Sequence, residues 1–214
     1  TFFTGYKDTV KVPPLIKLIR PHQYLKNSFV FIGPLFAHQW DLSTLYESMM
    51  TFAAFCAMAS AVYILNDLVD VETDRAHPIK SKRPIASREI SPLSAKILLV
   101  ALFLTSVGLS INVSIYVAAC TISYFIINIF YSLSLKHVVI LDVFLISSGF
   151  MLRILAGTLG LGIAPSAWLL LCGLMITLFM GFSKRRAELL MLKGGDKQDQ
   201  ALTRRVLDDY SPII

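Results

Sequence analysis

Charged residues are scarce in this chain. Asp, Glu, Lys and Arg make up 16% of its 214 residues, whereas 55% are apolar, and the mean hydropathy is +0.65. An ordinary soluble domain carries roughly a quarter of its residues as charges. The composition therefore excludes such a domain and indicates an integral membrane protein.

Cysteine is also rare. Cys56, Cys120 and Cys172 all fall inside apolar runs, where a thiol acts as a small apolar side chain and a disulfide is not expected. The chain lacks an internal repeat, a low-complexity linker and a cleavable signal sequence. We therefore expect one domain over residues 1–214. It begins at Thr1 rather than Met and ends where a new apolar segment starts, so we expect truncation, above all at the C-terminus.

Long apolar stretches define the fold class. They cover residues 24–37, 45–65, 97–135, 138–163 and 164–182. The 39-residue stretch 97–135 would be nearly 60 Å long as one helix, about twice the hydrocarbon thickness, so we expect it to turn near residues 112–114. The sequence thus predicts an all-α bundle with about six transmembrane spans.

Lys and Arg indicate the orientation of the spans. The connections near residues 39–44, 112–114 and 159–166 contain neither, whereas basic residues gather before the first span, at 75–96, at 136 and at 184–205. Cytoplasmic loops are enriched in these residues. We expect both ends, and every basic loop, on the cytoplasmic side.

An acidic cluster closes the second span. Asn66, Asp70 and Asp74 recur at every fourth residue, so on a helix they share one face within about 12 Å and can hold a hard cation between oxygen ligands. Asp67 is expected to support these ligands or to cap the helix. The loop that follows, 75–86, is basic and supplies donors for phosphate oxygens. Two opposite charge clusters in sequence predict a Mg²⁺–diphosphate site.

The sequence Asn66-Asp67-x-x-Asp70-x-x-x-Asp74, followed by Arg83-Pro84-Ile85, resembles the first aspartate-rich motif of the UbiA superfamily of membrane prenyltransferases. Residues 20–27 resemble the family's opening segment, and 131–136 resemble its loop between spans four and five. The resemblance implies nine transmembrane helices around a central cavity, of which this chain supplies about the first six.

Within the superfamily, the details resemble the decaprenyl-phosphate phosphoribosyltransferases. The likeness rests on residues 77–86, 131–137, 147–153 and 184–188. Aromatic prenyltransferases usually carry a second DxxxD motif after span six, where this chain has Lys184 and Glu188. A lysine there removes a metal ligand and adds a partner for phosphate.

This resemblance implies Mg²⁺-dependent transfer of 5-phosphoribose from phosphoribosyl pyrophosphate to a polyprenyl phosphate, with release of pyrophosphate. The setting would be the cytoplasmic face of a bacterial plasma membrane, in cell wall biosynthesis. No nucleic-acid partner is expected, and the sequence fixes neither the oligomeric state nor the polyprenol length. Because the attacking phosphate is already ionised, a strong general base is unnecessary.

The residues expected to carry this chemistry fall into two groups. The catalytic metal ligands are Asn66, Asp70 and Asp74. The substrate-binding residues are Lys26, Lys80, Arg83, Tyr131, Lys136, Lys184, Arg185 and Glu188. Each basic member has an alternative interpretation as a cytoplasmic loop residue, and Lys26 as an anchor of span one. Glu188 is alternatively a second metal ligand or the counter-ion of Lys184 or Arg185.

Three further positions bear on the site. The family commonly has glycine where this chain has Arg88, and glycine permits a positive φ. Asp142 and Arg153 are charges at membrane depth, which usually face the interior and are paired. They are too far apart on one helix to pair with each other, at roughly 16 Å, so each is expected to find a partner elsewhere, structural or catalytic.

Two rival functions remain open. A prenyltransferase would use the same metal site with the diphosphate on the lipid, and Lys184 argues against it. A transporter fragment would also be polytopic, but its key charges would lie at mid-membrane, whereas here they gather at one surface.

Overall fold

A computed structural model describes residues 13–133 and 141–193 of the chain. In this part of the chain all regular structure is helical. The α-helices are α1 (Pro14–Ile19), α2 (Ile32–Ala37), α3 (Leu42–Val69), α4 (Val71–Ala76), α5 (Pro92–Val113), α6 (Ile115–Leu133), α7 (Leu141–Ala156) and α8 (Ala167–Lys193). Segments of 3₁₀-helix cover Pro21–Phe31, Lys80–Lys82 and Leu159–Leu161.

Every stretch that we expected to cross the membrane contains helical structure, but these helices differ in length and in helix type. Four segments are long and apolar enough to do so: Leu42–Val69, Pro92–Val113, Ile115–Ser132 and Val143–Leu161. Ala167–Ser183 is a shorter apolar stretch of α8. The first expected span is not one α-helix, because the 3₁₀ segment Pro21–Phe31 runs into the six-residue α2.

The expected turn within residues 97–135 is confirmed. Helix α5 ends at Val113, and α6 starts at Ile115. Between them, the Ser114 hydroxyl accepts a hydrogen bond from the backbone N–H of Val117 and donates one to the carbonyl of Gly160. Ser114 therefore caps α6 and joins this turn to the connection between α7 and α8.

Helix α3 is the centre of the bundle. It packs against α5, α6 and the 3₁₀ segment, and 61% of its most apolar window is buried, compared with 17% for α5. At its start, the Asp41 carboxylate accepts hydrogen bonds from the hydroxyl of Ser43 and from the backbone N–H and hydroxyl of Thr44. These donors lower the pKa of Asp41 to about 2. Helix α5 leaves a broad apolar face exposed, as expected of a lipid-facing helix.

The 3₁₀ segment lies against α3 through polar contacts. The Tyr24 hydroxyl is 2.8 Å from the Ser60 hydroxyl, and the Asn27 amide donates to the Cys56 sulfur at 3.2 Å. The bundle places these polar groups inside, where each needs a partner because water is absent.

Two glycines allow the N-terminal region to touch the end of α7 backbone to backbone. A Cβ on Gly157 would lie 1.8 Å from the carbonyl oxygen of Val30, and one on Gly33 would lie 2.0 Å from the carbonyl oxygen of Gly157. No side chain fits in such gaps. The contact fixes the 3₁₀ segment against α7 as well as α3.

The connections without Lys or Arg meet at one end of the bundle. There the Ser114 hydroxyl bonds to the carbonyl of Gly160. A cavity of about 410 Å³ lies between the end of α2 and the connection between α7 and α8. Its lining includes Gly33, Phe36, Thr158, Pro165 and Trp168. Helix α3 runs for 28 residues, or about 40 Å, from this end to the acidic cluster at the opposite end.

Candidate active site

The acidic cluster lies where α3 passes into α4. Asp70 is the junction residue, at φ −91° and ψ 9°, and it separates the two helices. The backbone N–H of Asp70 nevertheless bonds to the carbonyl of Asn66, and that of Asp74 bonds to the carbonyl of Asp70. The one-turn spacing of Asn66, Asp70 and Asp74 that the sequence predicts is therefore kept across the junction.

Asp67 is the buried centre of an ion-pair network. It is 2% exposed, and its Oδ1 accepts from Arg20 Nη2 at 2.6 Å and from Arg83 Nη1 at 3.1 Å. Its Oδ2 has no hydrogen-bond partner among the described residues. Asp67 thus supports the site, one of the two roles expected for it, by fixing two guanidinium groups.

Arg83 also binds the third residue of the motif. Its Nη1 lies 2.6 Å from Asp74 Oδ2, and Asp74 is itself 2% exposed. The basic loop after α4 therefore folds back onto the acidic cluster. Arg83, expected to contact phosphate, is held by two carboxylates in this structure.

Arg20 reaches the cluster from the N-terminal region. It adopts the left-handed conformation at φ 53°, which ends α1 and redirects the chain into the 3₁₀ segment. Its guanidinium lies 5.1 Å from the centre of the Tyr63 ring, one turn of α3 before Asp67. Sequence reasoning did not select Arg20, although it lies in the segment that resembles the family's opening.

Asn66 contacts the fourth apolar span. The Ser132 hydroxyl lies within hydrogen-bond distance of the Asn66 side-chain oxygen and of the carbonyl of Asn128 and can donate its one hydrogen to either. The segment at 131–136, noted for its resemblance, therefore begins beside the acidic motif. Ser132 was missed because a lone serine in an apolar helix carries no signal of its own.

Oxygen ligands for a divalent cation are present in the motif. The described residues contain no group of three or more His, Cys, Asp or Glu side chains placed to hold a metal ion. The donor set predicted from the sequence, the Asn66 amide with the Asp70 and Asp74 carboxylates, consists of oxygen ligands of the type that Mg²⁺ prefers. These residues fit Mg²⁺ in donor type, provided that Asp74 exchanges Arg83 for the ion.

Comparisons with known proteins agree with this architecture. Residues 27–187 match the model of the UbiA prenyltransferase family. The chain belongs to the UbiA prenyltransferase family. With its four apolar helices, it is an integral, multi-pass membrane protein.

Two relatives of this UbiA chain are decaprenyl-phosphate phosphoribosyltransferases. The one from Corynebacterium glutamicum is 39% identical over 98% of this chain and 65% of its own length. The one from Mycolicibacterium smegmatis is 36% identical over 94% of this chain and 63% of its own length. The chain therefore spans less than two thirds of either relative.

The UbiA fold itself is confirmed by a solved structure. A UbiA homologue from Archaeoglobus fulgidus, bound to DMAPP and Mg²⁺, superposes with a TM-score of 0.70 at 16% identity, covering 91% of this chain and 67% of that protein. The described helices thus form about two thirds of a UbiA bundle.

The other predicted substrate-binding residues lie in several parts of the chain. Lys80 is exposed and forms no ion pair within the described ranges. Lys26 is exposed and Tyr131 is half-buried. Lys136 lies outside the described residues, and Lys184, Arg185 and Glu188 fall on α8. Their substrate contacts stay predictions.

Arg88 occupies a backbone position suited to glycine. Its φ is 63°, in the left-handed region that glycine enters without steric cost. The chain therefore keeps the turn after Ser87 that a family glycine would form, at the expense of strain in an exposed arginine.

Arg153 finds a partner in the N-terminal region, as expected for a charge at membrane depth. Its Nε donates to Asn27 Oδ1 at 2.7 Å, and its Nη1 donates to the carbonyl of Gly149 at 2.6 Å. Asn27 is an amide, so this partner satisfies a hydrogen bond but adds no counter-charge.

Proposed function

We propose that this protein transfers 5-phosphoribose from phosphoribosyl pyrophosphate to a polyprenyl phosphate at the cytoplasmic face of the membrane. The observation that carries the proposal is its 39% identity, over 98% of the chain, to a decaprenyl-phosphate phosphoribosyltransferase. The replacement of the second aspartate-rich motif by Lys184 and Glu188 supports phosphoribosyl over prenyl transfer, because it adds a phosphate partner.

In the proposed reaction the bond from ribose C1 to pyrophosphate breaks, and its electron pair leaves with the pyrophosphate. An oxygen of the ionised lipid phosphate then forms the new bond to C1. No proton has to be removed from the nucleophile, in accord with a cluster built from carboxylates and guanidinium groups rather than around a histidine base.

Asn66, Asp70 and Asp74 would hold Mg²⁺. When bound, the ion supplies positive charge that stabilises the departing pyrophosphate. These three residues come from one continuous stretch of chain, one helical turn apart.

Arg83 and Arg20 would supply donors to the phosphate oxygens. Asp67 fixes both guanidinium groups beside the cluster, so they are positioned before substrate arrives. Preorganised charge of this kind stabilises a developing negative charge without reorganisation at the moment of reaction. Lys80, Lys184 and Arg185 are the further proposed phosphate partners.

The test uses the full-length protein in detergent or native membranes, with Mg²⁺, polyprenyl phosphate and phosphoribosyl pyrophosphate labelled on the ribose. We expect the label to pass into the organic phase only when both Mg²⁺ and the lipid phosphate are present. A folded protein that fails to do so, but joins a prenyl diphosphate to an aromatic acceptor, would overturn the proposal in favour of prenyl transfer.

A further inference from the structure

Arg153 is a permanent charge inside the membrane-spanning part of the fold. It belongs to the apolar segment Val143–Leu161 and is 5% exposed. Within the described residues it forms no ion pair with a carboxylate. A guanidinium does not lose its proton in proteins, so this charge cannot be relieved by titration.

The hydrogen bonds of Arg153 to the described residues use two of its N–H groups. Of its five N–H groups, the one on Nε bonds to Asn27 and one on Nη1 bonds to Gly149. The other three, one on Nη1 and both on Nη2, have no acceptor among the described residues. These three N–H groups, at the far end of the side chain, are the donors that a ligand could use.

Aromatic rings hold the guanidinium in place. Its central carbon lies 4.5 Å from the centre of the Tyr124 ring, 5.5 Å from Phe55 and 5.6 Å from Phe150. Ring faces attract a cation, but they do not neutralise it and they accept no strong hydrogen bond. The rings therefore stabilise and orient the charge, but they offer no acceptor to its three remaining N–H groups.

The position of this charge is distinct from that of the acidic motif. Asn27, its partner, bonds to Cys56 on α3, and Cys56 precedes Asp67 by eleven residues, or about 16 Å along the helix. Tyr63 lies between Cys56 and Asp67 on α3, and its ring contacts Arg20, which pairs with Asp67. The bundle thus has a cationic group much deeper in the membrane than the proposed metal site.

We propose that Arg153 binds a phosphate monoester. This inference rests on the proposed function, in which both substrates carry such a group: the 5-phosphate of phosphoribosyl pyrophosphate and the phosphate of the lipid. Two oxygens of a phosphate match two parallel N–H groups of a guanidinium. The bound dianion supplies the counter-charge that the described residues of the protein lack.

The test measures binding without turnover. Full-length protein in detergent is titrated separately with ribose 5-phosphate and with farnesyl phosphate, by calorimetry. For Arg153→Gln we expect one of the two dissociation constants to rise at least about tenfold, as for loss of a charge-assisted hydrogen bond, and the affected probe identifies which phosphate is bound. Unchanged affinity for both probes would overturn the inference.

A second variant separates binding from folding. Asn27→Asp keeps the 2.7 Å contact to Arg153 but adds a carboxylate that neutralises it. We expect this variant to stay folded and to lose the same affinity. If Arg153 were only structural, Asn27→Asp would leave both affinities intact.

Ser147→Ala is the matched control, since Ser147 is buried on the same helix with no hydrogen-bond partner in the described chain; its affinities should equal the parent's. Failure of the proposed reaction is recognised independently, as absence of label transfer by a parent protein that still binds the probes through Arg153.

Discussion

The guanidinium of Arg83 lies 2.6 Å from the carboxylate of Asp74, so a cation from the protein's own loop sits on one of the predicted metal ligands. Asp74 is buried beneath it. In the proposed metal site, Mg²⁺ would compete with Arg83 for Asp74 Oδ2. Its binding would free Arg83 from Asp74 for phosphate, while Asp67 keeps the guanidinium beside the cluster.

Replacement of Arg83 tests this competition. In Arg83→Gln the Asp74 carboxylate loses its ion pair, so we expect tighter binding of Mg²⁺ in the absence of substrate together with a large loss of phosphoribosyl transfer. Mn²⁺ titration followed by electron paramagnetic resonance measures the first quantity. Arg75→Gln is the control, because Arg75 pairs only with the exposed Glu72 among the described residues. Weaker metal binding in Arg83→Gln would contradict the competition.

Asp70→Asn should remove activity without unfolding the protein. The amide keeps the size of the side chain but removes one of the two negative charges of the proposed ligand set, so we expect Mg²⁺-dependent transfer to fall by roughly 100-fold or more. The unfolding temperature should change by less than about 3 °C, the shift expected for 1 kcal/mol. Full turnover in this variant would refute its assignment as a metal ligand.

Asp67→Asn should lower both activity and stability. Asp67 is buried and fixes Arg20 and Arg83, so its neutralisation leaves two guanidinium groups without their shared partner. We expect a loss of about 1–3 kcal/mol in unfolding free energy, measured by denaturation in detergent. A variant as stable as the parent would show that the network is not structural.

Arg88→Gly should stabilise the protein. The left-handed backbone at this position, with φ 63°, costs a non-glycine residue about 1–2 kcal/mol, part of which is offset by the entropy that glycine loses on folding. We expect a gain of about 0.5–1 kcal/mol. Arg88→Ala removes the same side chain but keeps the strain, so only the glycine variant should show the gain.

Gly157→Ala should disrupt the packing of the N-terminal region. The added Cβ would lie 1.8 Å from the carbonyl oxygen of Val30, which is backbone and cannot rotate away. We expect a large loss of thermal stability. Gly108→Ala is the control, since a Cβ there meets nothing within 4 Å and should be neutral or favourable in the middle of α5. Equal behaviour of the two variants would argue against the close contact.

Local patterns in the sequence predicted the helical fold and the acidic motif. The length of the apolar stretch 97–135 required a turn, and α5 and α6 separate where it was expected. The four-residue spacing of Asn66, Asp70 and Asp74 survives in the backbone hydrogen bonds, although α3 itself ends at Val69.

Contacts between distant segments could not be predicted in the same way. Arg20 and Asp67 are 47 residues apart, and Asn27 and Arg153 are 126 apart. The composition of these segments does not specify which residues pair, because hydropathy shows only that a charge at membrane depth needs a partner. The 3₁₀ conformation of residues 21–31 was missed for a related reason, since its apolar content is compatible with either kind of helix.

The pairing of Asn27 with Arg153 also has a consequence for the order of assembly. Asn27 is synthesised 126 residues before its partner, and the glycine contact that fixes the same region needs Gly157. The N-terminal segment can meet α3 early, but it can take its final position only after α7 has entered the membrane. This segment is therefore made before α3, but it is fixed in its final position only after α7.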